Sequence, residues 1–134
     1  MARNTSTTGN NELKIHDNVS DSDIVLFYRT PTTSERQGYQ NMALQRKGKK
    51  VNFNQAEARM TYGLKILTGF REGDFVRDVL GAAAPYSSDR NSQNYLEEWK
   101  KELEAGASDL IMLLAAHVFD ASAEIVDAED GEGN

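Results

Sequence analysis

Chemistry in a chain this short has to come from a small set of side chains, and the two histidines are the first to weigh. His16 lies near the start and His117 in the last apolar stretch, and no spacing pairs them. His117 and Asp120 sit three residues apart, on one face if the segment is helical, as two metal ligands would. Two ligands are too few for a structural zinc site, so His117 reads as a hydrogen-bonded core residue and no metal is expected. Glu72, Asp74 and Asp78 lack the alternating oxygen-ligand spacing and terminal glutamate of a calcium loop. Gly69, Gly73 and Gly81 are spaced too irregularly for a phosphate-cradling loop. Serines are common, but none stands in a nucleophile elbow or beside an identifiable base. With no cysteine there is no thiolate nucleophile, disulfide or iron–sulfur ligand. The expectation is a protein that is not an enzyme, with no catalytic residues and no cofactor.

The remaining chemistry is charge. Arg46-Lys47-Gly48-Lys49-Lys50 is the densest basic cluster, and it reads either as the solvated end of a helix, where cations complement the dipole, or as a nucleic-acid patch. The formal net charge of −6 and the lack of interleaved aromatic residues disfavour nucleic acid. That total conceals a polarity. Residues 1–71 carry 11 Lys/Arg against 6 Asp/Glu, net +5, and residues 72–134 carry 4 against 15, net −11. Between copies, such polarity would favour head-to-tail association into a homo-oligomer.

The elements that position these residues follow from hydropathy. Residues 1–12 are polar and read as a disordered arm, 13–126 as one domain, and 127–134 as an acidic disordered tail. Leu13-Lys14-Ile15 and Ile24 to Arg29 read as two strands that pair as a hairpin, which must lie against helices or join strands of another copy. Pro31 ends the second strand, and Thr32 with Glu35 forms a capping box that opens a first helix, running to the basic cluster with Tyr39, Met42, Ala43 and Arg46 on one side. A second helix is capped by Asn54 with Glu57 and carries Ala56, Met60, Gly63, Leu64 and Leu67, stopping at Gly69. Gly63 on that stripe implies close approach of another helix. Residues 70–90 form a long connector, a length that is usually functional or partly ordered. A third helix starts at Ser92 or Asn94, presents Tyr95, Leu96, Trp99 and Leu103, pairs Glu97 with Lys101 and ends at Gly106. The last helix, Ser108 to Val126, is apolar on nearly all sides and therefore central, with the third helix folded antiparallel against it. The fold expected is mainly α: four helices with a small N-terminal β-hairpin. No apolar run approaches a membrane span and no secretory leader is recognisable, so the host cytoplasm is the expected location.

The order of these features resembles a known family. Tyr28-Arg29-Thr30-Pro31-Thr32, the helix opening Ser34-Glu35-Arg36, Leu67-Thr68-Gly69-Phe70, Gly73-Asp74, Pro85-Tyr86-Ser87-Ser88 and the segments around Trp99 and Leu110 to Phe119 resemble the tail assembly chaperones of tailed bacteriophages and prophages. Phe70 stands where that family often carries a tryptophan. The resemblance implies a non-catalytic cytoplasmic protein that coats the tape-measure protein, keeps its apolar helices soluble and recruits tail-tube subunits. The partner-binding candidates are Tyr39 and Met42, the basic residues Arg46, Lys47, Lys49 and Lys50, Phe70 and Phe75 in the connector, and Trp99. The alternatives are a structural head–tail connector or completion protein and a small nucleic-acid-binding regulator.

Overall fold

A computed structural model describes residues 11–47 and 50–120, with the backbone alone described at 45–47 and 50–53. The chain opens with β1 (Asn11–Asp17) and β2 (Ser22–Tyr28), an antiparallel hairpin in the register Leu13↔Leu26 and Ile15↔Ile24. Its burial alternates along β1: Leu13 and Ile15 pack toward the core while Glu12, Lys14 and His16 face outward. Strand β1 takes in Asn11 and Glu12, two residues expected in the polar arm; residues 1–10 lie outside those described. The turn sets Asp21 at φ 51, a left-handed conformation that aspartate tolerates.

Helix α1 (Thr33–Ala43) begins at the expected place. The Thr32 hydroxyl accepts from Glu35 N–H at 3.1 Å, and the Glu35 carboxylate accepts from Thr32 N–H at 2.9 Å. It stops at Ala43, three residues before Arg46, the first of the basic cluster. Strands β3 (Leu44–Lys47) and β4 (Lys50–Phe53) follow, and Arg46 and Lys47 belong to a hairpin rather than to a helix end. Helix α2 (Gln55–Ile66) is N-capped by Asn54 without the side-chain cap bond that a box with Glu57 needs. Its buried positions are Ala58, Gly63 and Ile66, so the stripe is rotated from the one expected.

The sharpest departure follows. Leu67 to Phe70 form no further helical turn but a strand, β5, which pairs antiparallel with β2 through Leu26↔Phe70 and Phe27↔Gly69. The physical reason is the open edge of β2. A lone hairpin leaves a row of backbone groups unpaired. Here the chain supplies the third strand itself, reinforced by Arg29 N–H on Ile66 O and Arg71 N–H on Val25 O, each at 3.0 Å. The N-terminal strands thus pair within their own domain, in the order β1-β2-β5. Together with β3–β4 and a third ladder, β6 (Val76–Val79) with β7 (Ala82–Pro85), the described residues contain seven strands. The fold is mixed α+β, not the mainly α four-helix domain expected.

Helix α3 (Trp99–Gly106) begins later than Ser92 or Asn94, because both side chains are drawn to the Glu72 carboxylate, at 2.9 and 3.4 Å, instead of capping a helix. Its surface ion pair joins Lys101 to Glu98 at 3.6 Å, not to Glu97. Only Ala107 separates α3 from α4 (Ser108–Ala115), which runs on into a π-helical turn, Ala116–Asp120. Residues 121–126, expected to prolong this helix, and the acidic tail lie outside the described residues. Leu110, Ile111, Leu114, Ala115, Val118 and Phe119 are buried, so α4 is central, although Leu113 is half exposed. It packs chiefly on α2, at Gly63. No helix among the described residues is long and apolar enough to cross a membrane.

Candidate partner-binding surface

Most of the large side chains proposed for partner contact are structural. Tyr39 is almost completely buried, stacked on Phe119 with ring centroids 4.7 Å apart, and its hydroxyl donates to Asp120 Oδ1 at 2.6 Å. Arg59 donates twice to Asp120 Oδ2, at 3.0 and 2.8 Å. Asp120 is thereby a clasp for the π-turn. His117 is exposed, its ring edge-on to Tyr28 with centroids 6.5 Å apart, which corrects the expectation of a core histidine. Met42 is half-buried against the core. Arg46, Lys47 and Lys50 occupy β3 and β4, and Lys49 lies outside the described residues.

Phe70 and Trp99 are buried in an aromatic cluster. Phe70 meets Phe75, Tyr86 and Trp99 edge-on at centroid distances of 4.8, 5.6 and 5.9 Å. Edge-to-face pairs of this kind are worth about 1 kcal/mol each beyond the area they bury. The cluster is held by polar anchors from the former connector. Glu72 accepts from Ser87, Ser92 and Asn94, and these bonds hold its carboxyl below the ordinary glutamate range, the Ser87 bond foremost. Asp74 accepts from Val25 N–H at 2.8 Å and from Arg71 Nε at 3.1 Å. Ser88 Oγ accepts from Phe70 N–H at 3.0 Å. Burial pushes the Tyr86 phenol up to about 12. The segment expected to be a loose connector is therefore pinned at its base.

From that base the β6–β7 hairpin projects. Phe75 and Tyr86 flank it, with Tyr86 N–H on Phe75 O at 3.3 Å, and its rungs run Val76↔Pro85, Arg77↔Ala84, Asp78↔Ala83 and Val79↔Ala82. The two turn residues, Leu80 and Gly81, have φ 53 and 85. Positive φ at both central positions is the geometry of the tightest hairpin turn, where asparagine, aspartate or glycine normally takes the first place. A leucine there costs about 1 kcal/mol in backbone strain. Leu80 is also fully exposed, and Val79 beside it is exposed as well. Strain and exposed apolar surface coincide at one tip. Leu-Gly is not a favoured turn pair, so the only local signal for this turn is the glycine that follows Val76 to Leu80.

No family model, curated protein or solved structure matches the chain. The functional reading therefore rests on the surface together with the resemblance of the sequence to the tail assembly chaperones.

Proposed function

We propose that this chain is a non-catalytic phage tail assembly chaperone, acting in the host cytoplasm, that holds apolar helical segments of a tape-measure protein and helps recruit tail-tube subunits. The observation that carries the binding role is Leu80, a fully exposed leucine in left-handed backbone at the end of a hairpin whose base is locked into the core. Backbone strain persists where the surroundings over-determine it, and it concentrates at binding and switching sites. A protein without a partner would gain stability from asparagine at this position and lose nothing. Leucine makes sense if its side chain enters an apolar groove on a client, and the neighbouring Val79 widens the contact. Phe75 and Tyr86, which flank its base, pack in the aromatic cluster and anchor the hairpin to the core.

The test is co-expression with the tape-measure protein encoded in the same genome. The wild-type chain should co-purify with it and keep it soluble, and Leu80→Asn with Val79→Ser should reduce capture about tenfold or more while the chain stays folded. Failure of the wild type to retain the tape-measure protein removes the reading. Purified virions checked by mass spectrometry should lack the chain; stoichiometric presence would instead make it a structural connector.

A further inference from the structure

Strand β1 is a sheet edge. It pairs with β2 along all seven of its residues in unbroken register, and among the described residues no strand lies on its other side. The outward N–H and C=O groups of such an edge are a template for another strand. Edges are ordinarily blunted by brevity, by proline or by a bulge, and β1 has none of these. Its core face is also incomplete. Leu13 and Ile15 are only half-buried, whereas Leu26 and Ile24, directly opposite them on β2, are almost completely buried. The apolar layer of the sheet therefore runs out to this edge instead of ending inside it.

We propose that β1 pairs antiparallel with β1 of a second copy of the chain, about a two-fold axis at Leu13. Charge sets the register. Glu12 and Lys14 are exposed on the outward face of the strand. Lys14 holds Asp23 at 3.5 Å with both side chains exposed, a surface contact worth little and easily exchanged. With the axis at Leu13, Glu12 of each copy stands directly opposite Lys14 of the other, so the attraction is made twice. On the core face Leu13 then meets Leu13, and Ile15 meets Asn11. An axis at Glu12 or at Lys14 would set like charges face to face at the centre, which destabilises a ladder, and an axis at Ile15 would set Lys14 against His16. An axis between two residues would turn one copy's apolar positions to the outward face. The two three-stranded sheets thereby become one, in the order β5-β2-β1-β1-β2-β5, and the half-buried Leu13 and Ile15 are covered further. Because β1 meets its own copy, the contact is isologous and closes at two chains. No residue of the β6–β7 hairpin enters it, so dimerisation and client capture are measured separately.

Sedimentation velocity on the full chain tests it. The wild type should pass from monomer to dimer with rising concentration and stop there. Glu12→Lys and Lys14→Glu each place like charges opposite one another at both positions, and each alone should dimerise about tenfold or more weakly, with circular dichroism unchanged. Mixed in equal amounts, the two variants should dimerise with each other as the wild type does with itself, because every carboxylate again faces an ammonium. The double variant Glu12→Lys/Lys14→Glu should recover dimerisation on its own for the same reason. As an independent readout on the wild type, hydrogen exchange at the β1 amides should slow at the concentrations where the dimer forms. A wild type that stays monomeric or grows beyond two chains, single variants that dimerise as well alone as mixed, a mixture that fails to recover, or β1 exchange that ignores concentration would each overturn the proposal.

Discussion

Gly63 lies so close to Ile111 that a Cβ on the glycine would stand 2.9 Å from the Ile111 carbonyl oxygen and 2.9 Å from its Cγ2. This is the point where α2 and α4 touch, and the missing side chain is what lets the two helices approach. Glycine inside a helix normally costs about 1 kcal/mol relative to alanine. The contact reverses that sign. Gly63→Ala should destabilise the domain by about 1–3 kcal/mol, the range for overpacking a tight core, because backbone must move. The urea midpoint should fall; a rise would mean that the helices separate freely.

Leu80 makes the opposite prediction. Leu80→Asn should raise the midpoint by about 1 kcal/mol equivalent, since asparagine accepts left-handed backbone more readily and no apolar contact is lost in the free protein. A substitution that stabilises the fold and weakens client capture would separate the tip's binding role from any structural one. Equal or lower stability would show that the strain lies elsewhere.

Arg29 and Glu35 predict the acid limb. The guanidinium donates to both carboxylate oxygens, at 2.7 and 2.6 Å, and with the Thr32 N–H it holds the Glu35 carboxyl at about 2. A carboxylate with a lowered pKa contributes stability that is present above its unfolded value. That contribution should therefore be lost as pH falls from about 4.5 through about 2. Glu35→Gln should cost roughly 1–3 kcal/mol at neutral pH, the range for hydrogen bonds to charged groups, and flatten the pH dependence in that window. Parallel urea titrations at several acidic pH values measure both effects. An unchanged acid limb would mean that other carboxylates set it.

His16 predicts a second, opposite dependence. Its ring nitrogens meet Asp23 at 3.0 Å and Asp21 at 3.2 Å, and the bond to Asp23 does most to raise its pKa above the ordinary histidine value. A raised pKa means that the contribution is fully present below the unfolded value and is lost as pH rises through the folded one. Amide protection at the β1–β2 turn should therefore weaken as pH rises through the folded His16 value. An NMR titration of His16 should give a midpoint above the ordinary value, and Asp23→Asn should bring it down. Identical midpoints in the two proteins would remove the assignment.

What was legible in the sequence was local. Thr32 and Glu35 announce a helix start because the box closes within four residues, and the alternation of Leu13, Ile15, Ile24 and Leu26 announces a hairpin. Gly63 stood out because a glycine on an apolar stripe has no better use than close approach. The errors fall where partners are distant or local signals conflict. Leu67 to Phe70 carries apolar residues compatible with either a helical or an extended period, and only the open edge of β2, some forty residues earlier, decides for a strand. The alanines of β7 favour helix intrinsically, yet the Leu80-Gly81 turn sends them back against β6. Ser92 is a good helix cap until Glu72 claims it. Tyr39, Phe70 and Trp99 are large enough for interfaces, but the same size makes them the best material for a small core, and all three are buried in it.

The central position of α4 sets the order in which the domain can be completed during synthesis. Tyr39, Ala58 and Ile66 are made early, while Leu114, Phe119 and the Asp120 carboxylate that locks Tyr39 and Arg59 emerge dozens of residues later. Until then the apolar face that α4 covers in the finished domain has nothing over it. Closure is one late event in which the arriving helix seals everything made before it, so ribosome pausing ahead of Ser108 would lengthen the interval during which that face is open to other chains.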